Sequence, residues 1–203
     1  EAVNHTRLAN YWMHVGFLLT DGVKMSKSLG NSILAKDVLN RHSGNAVRLF
    51  FLTTHYRAPV NYTEENLDNC ERQVEKYLTS YRKAYYRLKL SSDIEGTLLK
   101  EDYDQAMDAL ADDLNVSNCL TVVDRLVKGI NGETMRKEPD FKKLSNLLAT
   151  FERITGVLGL VFAVSPLTEE DRANYLEYND ARTKKDYERS DIYRKKLMEK
   201  GIL

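Results

Sequence analysis

The chain has 203 residues, 42% of them hydrophobic and 30% charged, with a formal net charge of zero. That is enough apolar material for one or two cored domains, while three prolines and ten glycines argue against a loop-rich β sandwich. Global charge announces no nucleic-acid partner, so any basic surface must be local.

In chain order, residues 1–31 read as the edge of an α/β domain: a short polar start, a strand, a turn and a loop. They are too few to close a sheet. Tyr11–Thr20 is rich in aromatic and apolar residues and supplies the strand, with Trp12 expected in the core and His14 on the strand. Asp21-Gly22 between apolar segments is a short hairpin signal. The loop that follows, Val23-Lys24-Met25-Ser26-Lys27-Ser28-Leu29-Gly30-Asn31, has two lysines three residues apart, each followed within two positions by a serine. Its glycine spacing is not that of a Walker phosphate loop. Glycines permit close backbone approach, hydroxyls and free amides donate to phosphate oxygens, and two ammonium groups neutralise a polyphosphate. The same composition also suits a solvated surface turn.

Ser32 onward turns helical, with Leu34, Val38 and Leu39 on one face, and this helix ends by Ser43-Gly44. Asn45 is expected to cap a second helix with Val47, Phe50, Phe51 and Thr54 inward. His55, Tyr56 and Arg57 end it, and Arg57–Asn61, with Pro59, breaks it. Thr63 caps a long helix whose apolar positions Leu67, Cys70, Val74, Tyr77, Tyr81, Tyr85 and Leu88 recur at three and four. The spacing puts Tyr81 and Tyr85 in a core rather than against nucleic-acid bases. After a break from Ser91-Ser92 to Gly96, helices are expected around Ala106–Ala111 and over Val116–Ile130, ended by Asn131-Gly132. Pro139 fits the first turn of the next helix, with Phe141, Leu144, Leu148, Phe151, Ile154 or Thr155, and Leu158 as its stripe. Ser165-Pro166 is a linker. Thr168 with Asp171 approximates a capping box, and Gly201-Ile202 reads as a helix C-cap with its apolar contact. The fold class is therefore mainly α, a strand-and-loop edge followed by an antiparallel helical bundle.

Charge is segregated. Residues 24–57 carry six lysines and arginines against one acid, a net of +5; residues 182–200 carry eight against four, a net of +4; residues 93–113 carry eight acids against one lysine, a net of −7. The basic stretches 36–57 and 182–200 are expected to contact nucleic acid, with the acidic stretch 93–113 turned away; each block is also readable as a solvated helix face. Cys70 and Cys119 have no metal-type spacing and read as core thiols in a reducing compartment. No metal ligands are expected in this chain. Val157–Val164 is too short to span a bilayer, so no membrane association is expected. The chain opens at Glu1 with neither an initiator methionine nor a targeting segment, as a piece of a longer protein would.

The string Lys24-Met25-Ser26-Lys27-Ser28 resembles the signature loop of class I aminoacyl-tRNA synthetases. Its flanks, Tyr11–Phe17 and Leu29-Gly30-Asn31, and then His55-Tyr56-Arg57-Ala58-Pro59-Val60-Asn61-Tyr62, resemble the cysteinyl-tRNA synthetase version. Ala111–Asn115 and Ala181–Asp186 are similar to weaker helical landmarks of that family, and all occur in family order. The resemblance implies a Rossmann-like catalytic edge over residues 1–31, a stem-contact region over 32–62, a helical bundle over 63–165, and C-terminal helices over 166–203 leading to an anticodon-binding end. It implies cysteine activation by ATP with Mg2+, then transfer to tRNA(Cys), in a cytoplasmic monomer.

Lys27, the second lysine of the loop, is implied as the catalytic cation on the leaving pyrophosphate. Lys24 fits either ATP binding or a structural place at the loop base. Met25 anchors the loop with its backbone near adenine, and Ser26 and Ser28 either donate to phosphate or cap the following turn. His14 reads as a rim residue or a nucleotide contact. Lys36, Arg48, His55 and Arg57 are candidates for the tRNA backbone. Zn2+ in the full-length enzyme, and the histidine-rich ATP motif, are implied upstream of these residues, so this stretch alone is not expected to activate cysteine. Two other readings are a ligase joining cysteine to an amino sugar and a non-catalytic helical RNA-binding module; the intact loop argues against decay.

Overall fold

The computed structural model describes residues 9–91 and 94–203. The polar start at residues 1–8, and Ser92 and Asp93 in the predicted break, lie outside the described residues. Among those described, the order is β1 (Leu18–Thr20), β2 (Val23–Lys24), α1 (Ala35–Leu39), α2 (Gly44–Leu52), β3 (Val60–Tyr62), α3 (Glu64–Ser91), α4 (Lys100–Ala111), α5 (Val116–Met135), α6 (Phe141–Val157), α7 (Glu169–Thr183) and α8 (Tyr187–Glu199). The protein is mainly α, with a small mixed sheet at one edge and the long helices after it.

β1 is the middle strand. It pairs antiparallel with β2, Leu19 opposite Lys24, and parallel with β3, Leu18–Thr20 opposite Val60–Tyr62. Asp21 and Gly22 have φ of 50° and 79°, the left-handed pair that a tight two-residue hairpin needs. β3 is not legible in the sequence, where Pro59 reads only as a break. What brings β3 to β1 is a close backbone approach: the Gly16 amide donates to the Tyr56 carbonyl at 2.7 Å. A Cβ on Gly16 would lie 2.2 Å from the Ala58 oxygen, so only glycine fits there.

The strand is shorter than expected. Tyr11–Phe17 is irregular, which takes His14 off the strand, and Trp12 is 66% exposed rather than in a core. Burial needs a second layer, and among the described residues none packs over this stretch. α1 has five residues, too few for a stripe, so Val38 is buried while Leu34 and Leu39 are exposed. Ser43, not Asn45, caps α2, accepting from the Ala46 amide at 3.1 Å. Asn45 instead donates to the Val161 carbonyl and accepts from its amide. Ala46, Leu49 and Phe50 form the buried face of α2, which leaves Phe51 at its margin. α2 ends at Leu52, so His55, Tyr56 and Arg57 lie beyond it, in the turn toward β3.

α3 starts as expected, with Thr63 accepting from the Asn66 amide at 3.1 Å and Glu64 and Glu65 in the first turn. Its stripe is buried at Leu67, Cys70, Val74, Tyr77, Tyr81 and Leu88, and Tyr85 packs partly buried beside it. Tyr81 stacks on Phe151 with centroids 6.0 Å apart, and Tyr77 meets Phe151 and Phe162 edge-on at 6.2 and 6.3 Å. The phenol groups escape the apolar cluster by donating to Asp124 at 2.8 Å and Glu152 at 2.6 Å, so no hydroxyl is left unsatisfied. Packing is the role of these rings. Cys70 and Cys119 are buried and unbridged, as core thiols.

α4 begins at Lys100, earlier than its apolar residues suggest. α5 runs through Asn131-Gly132 to Met135. A glycine inside a helix costs about 1 kcal/mol. Here the last turn is held from outside: the Arg87 guanidinium of α3 donates to the Thr134 and Arg136 carbonyls. Pro139 precedes the α6 N-cap, Asp140, instead of entering the first turn. α6 buries its predicted stripe at Leu144, Leu148, Phe151, Ile154 and Thr155, followed by Leu158, while Phe141 at its start is only half-buried. Thr168 and Asp171 form the reciprocal capping box of α7. At the end of α8, the Gly201 amide donates to Met198 and the Ile202 amide to Leu197, with Gly201 at φ 67°, a Schellman ending. Ile202 and Leu197 then pack with Tyr86 in a second cluster that docks the α7–α8 hairpin on the end of α3.

Glu133 is a buried carboxylate, 2.8 Å from the Lys143 ammonium and 3.2 Å from the Arg136 guanidinium. Lys143, against the opposing effect of burial, holds its carboxyl below the ordinary glutamate range. A group with a lowered folded value contributes stability above its unfolded value and loses it as pH falls through the folded one. Thermal melting of the native chain should therefore fall between the ordinary glutamate range and that lower value. Glu133→Gln should start less stable at neutral pH and show a shallower acid loss, measured by calorimetry across that window.

Candidate functional site

The lysine-serine loop leaves β2 and is held by its own backbone. The Met25 amide donates to Leu18 O at 3.0 Å, extending the hairpin by one rung. Asn31 closes the loop: its Oδ1 accepts from the Ser26 amide at 2.9 Å, and its Nδ2 donates to Lys24 O at 3.2 Å. Ser26 Oγ accepts from the Leu29 amide at 3.3 Å and lies 3.2 Å from Ser28 Oγ. The serines thus cap the turn in this state, and Ser28 Oγ stays on the exposed side. Met25 is half-buried and lines a narrow apolar cavity of about 100 Å³ with Leu18, Ile33, Val38, Phe50 and Tyr62. That contact makes Met25 the loop's anchor.

The two lysines are not equivalent. Lys24 Nζ sits 3.9 Å from the Phe17 ring centroid, a cation–π contact at an exposed site. Lys27 is exposed and makes no ion pair among the described residues. The loop therefore presents one parked ammonium group and one that is unpaired among the described residues, beside exposed hydroxyls, an arrangement that can receive an anion. His14 is exposed on the segment before β1.

The four cations proposed from sequence for a nucleic-acid backbone fall into two settings. Lys36 on α1 and Arg48 on α2 are exposed, with the Arg48 guanidinium against the Gly159 backbone. His55 and Arg57 are gathered at Asp113, in the turn between α4 and α5. Asp113 Oδ1 accepts from the Tyr56 hydroxyl at 2.6 Å and from Arg57 Nη2 at 3.1 Å, and its carbonyl lies 2.9 Å from His55 Nε2. Tyr56 and then Arg57 hold the Asp113 carboxyl below the usual carboxylate range. The end of the acidic block is thus gripped by the basic block, which corrects the expectation that the two face apart.

A lysine-serine loop on a sheet edge, leading into a helical bundle, is the arrangement expected of a class I aminoacyl-tRNA synthetase. Residues 1–72 match the family described as tRNA synthetases class I (C) catalytic domain, and residues 105–163 match the DALR domain. Among curated relatives, the cysteine–tRNA ligase of Halalkalibacterium halodurans is 33% identical over 210 residues, covering all of this chain and 45% of that protein. That of Acholeplasma laidlawii is 33% identical over 97% of this chain and 43% of its own, and that of Staphylococcus saprophyticus 33% over all of this chain and 46% of its own. The chain belongs to the cysteinyl-tRNA synthetase family, and it spans a little under half the length of these relatives.

No group of three histidine, cysteine or acidic side chains that could hold a metal occurs among the described residues. Burial pushes the Cys119 thiol up to about 11 and raises Cys70 as well, which disfavours the thiolate a zinc site needs. These residues do not fit the zinc centre implied for the full-length enzyme. No helix among the described residues is long and apolar enough to cross a membrane.

Asn31, Asn61 and Phe17 were not singled out as site residues from sequence. Asn61 Oδ1 accepts from the Gly22 amide at 2.8 Å, bracing the hairpin turn from 39 residues away. An asparagine that closes a loop on itself has no periodic signal; only its place one residue after Gly30 hinted at it. Asn31→Ala should loosen the loop by about 1–2 kcal/mol, read as faster limited proteolysis between Lys24 and Gly30 with unchanged global melting.

Proposed function

We propose that this chain supplies the phosphate-handling loop and the tRNA-side helices of a ligase that activates cysteine with ATP and transfers it to tRNA(Cys). The observation that carries the reading is the geometry of Lys24–Ser28: a loop braced by Asn31 and anchored by Met25, with Lys27 left without an acidic partner among the described residues. In the activation step the cysteine carboxylate attacks the α-phosphate and pyrophosphate leaves. Negative charge grows on the leaving group as the bond breaks. A cation placed there stabilises the transition state more than bound ATP, which is the condition for catalysis. Lys27 is assigned that role. Lys24, stacked on Phe17, orients the loop base and contributes to ATP binding with Met25, Ser26, Ser28 and His14. Mg2+ accompanies the nucleotide.

Lys36, Arg48, His55 and Arg57 are proposed as backbone contacts to tRNA, within a stem-contact region over 32–62, followed by the bundle over 63–165 and the C-terminal helices over 166–203. The cysteine–tRNA ligases align with this chain over nearly all of its length, which supports tRNA rather than an amino sugar as acceptor. The whole enzyme is proposed to be a cytoplasmic monomer.

In the whole-length ligase, Lys27→Ala should lower the cysteine-dependent pyrophosphate exchange rate by about a hundredfold while changing the Michaelis constant for ATP far less. A loss confined to that constant would mean that Lys27 binds ground state and transition state alike. On the acceptor side, the chain is expected to bind tRNA weakly at low salt and to lose it steeply as salt rises, because phosphate contacts release counterions. A filter-binding titration at two salt concentrations checks this, and salt-indifferent binding would count against basic-surface contacts.

A further inference from the structure

We infer that Asp113 couples the α4–α5 turn of the helical bundle to the base of the Lys24–Ser28 loop. The geometry stands by itself, and only the functional consequence rests on the phosphate role proposed for the loop.

The segment 55–62 has two occupied sides. On one, the side chains of His55, Tyr56 and Arg57 converge on Asp113. Besides the contacts above, Arg57 Nε lies 3.1 Å from Asp113 Oδ2 and donates to the Tyr56 hydroxyl at 2.9 Å. On the other, the backbone of the same segment carries the strand edge. Tyr56 O accepts from Gly16 N at 2.7 Å, Val60 N donates to Phe17 O at 2.9 Å, and Asp21 N donates to Tyr62 O at 3.3 Å. Asn61 then braces the hairpin turn at Gly22. Phe17, bonded through its carbonyl to this segment, lies under the Lys24 ammonium.

Tyr56 is the junction. Its hydroxyl is on Asp113 and its carbonyl is on Gly16, so a displacement at one end is delivered to the other through a single residue. Gly16 cannot absorb it, because its backbone already lies against Ala58 with no room for even a Cβ. At the far end, Asp113 and Leu114 both take left-handed φ, 51° and 57°. That conformation is costly for residues other than glycine and persists where surroundings hold it. Leu114 is 44% exposed, so burial of its side chain is not what holds the turn. The turn aims the Asp113 carbonyl at His55 and its carboxylate at Tyr56 and Arg57 at once. Asp113 is thus a positioning residue. Anything that engages the bundle and shifts the α4–α5 turn is felt at the base of the loop.

A static chain of contacts does not establish coupling; a mutant cycle does. Amide hydrogen exchange on this chain, without nucleotide, reads it directly. Asp113→Ala should raise exchange at Gly16, Gly22 and Met25 by roughly threefold to tenfold, with the α7–α8 hairpin unchanged. Tyr56→Phe, which removes only the hydroxyl, should raise the same amides about threefold. Gly16→Ala should raise Gly22 and Met25, and adding Asp113→Ala to it should raise them little further. Full additivity in the double variant, or unchanged Gly22 and Met25 exchange in Asp113→Ala, overturns the inference. If Asp113→Ala loosens α4 to α6 as a whole, Tyr56→Phe decides, and unchanged loop exchange there overturns it. Since no nucleotide is present, failure of the phosphate reading leaves this result standing, and failure here leaves that reading standing.

Discussion

Everything else in the molecule is hung on one buried stripe, the inward face of α3. Over 28 residues this helix packs its first turns against α2 and its later ones against α5 and α6, and its end receives the C-terminal hairpin through Tyr86. Four rings, Tyr77, Tyr81, Phe151 and Phe162, meet within that contact. Truncating a fully buried phenylalanine to alanine typically costs about 3–5 kcal/mol, a large share of a domain's net stability. The first family match ends inside this helix, at residue 72, and the second begins beyond it, at residue 105. The first match therefore runs into the bundle's longest helix, and α3 is continuous and closely packed from Glu64 to Ser91.

That rigidity determines what kind of site the loop can be. A cation that must meet growing negative charge should not already be neutralised, and it should not have to be reorganised at the moment of reaction. With Lys27 in the role proposed for it, the loop meets both conditions through neutral contacts. Asn31 and the Met25 backbone fix its course, while the apolar cavity under Met25 holds it down. An acidic partner for Lys27 would have ordered the loop as well, but would have neutralised the charge on which its proposed role depends. Lys24 is held by a ring quadrupole instead of a carboxylate, which orients the ammonium and leaves its charge intact.

Much of the helical half was legible in the sequence because a helix face repeats at three and four residues. The α3 and α6 stripes, the Thr63 and Thr168 caps and the Gly201 ending all follow from local rules. The misreadings have one physical origin, contacts from far along the chain. α5 runs past Gly132 because Arg87, 47 residues earlier, satisfies its last carbonyls. Asn45 is diverted from capping by Val161. Trp12 is apolar by type but has no described layer over it. At the site, the lysines and serines were found from their string, whereas Asn31 and Asn61 act through side-chain amides on loop backbone atoms and Phe17 through its ring face, which no spacing rule reports.

The placement of charge follows the same logic. A zero net charge hides a basic edge and an acidic helix, and segregation alone suggests two faces kept apart. Yet Arg57 and Asp113 meet at the seam between sheet edge and bundle. Both side chains are more than half exposed, so the pair adds little to global stability and can be exchanged for another anion without unfolding anything. A surface ion pair that is weak, solvent-accessible and linked by backbone hydrogen bonds to the Lys24–Ser28 loop is suited to adjustment rather than to support. The support comes from α3. Stability and responsiveness are thus assigned to different interactions: the buried stripe fixes where the two halves stand, and the exposed pair at Asp113 leaves the seam between them free to answer a ligand.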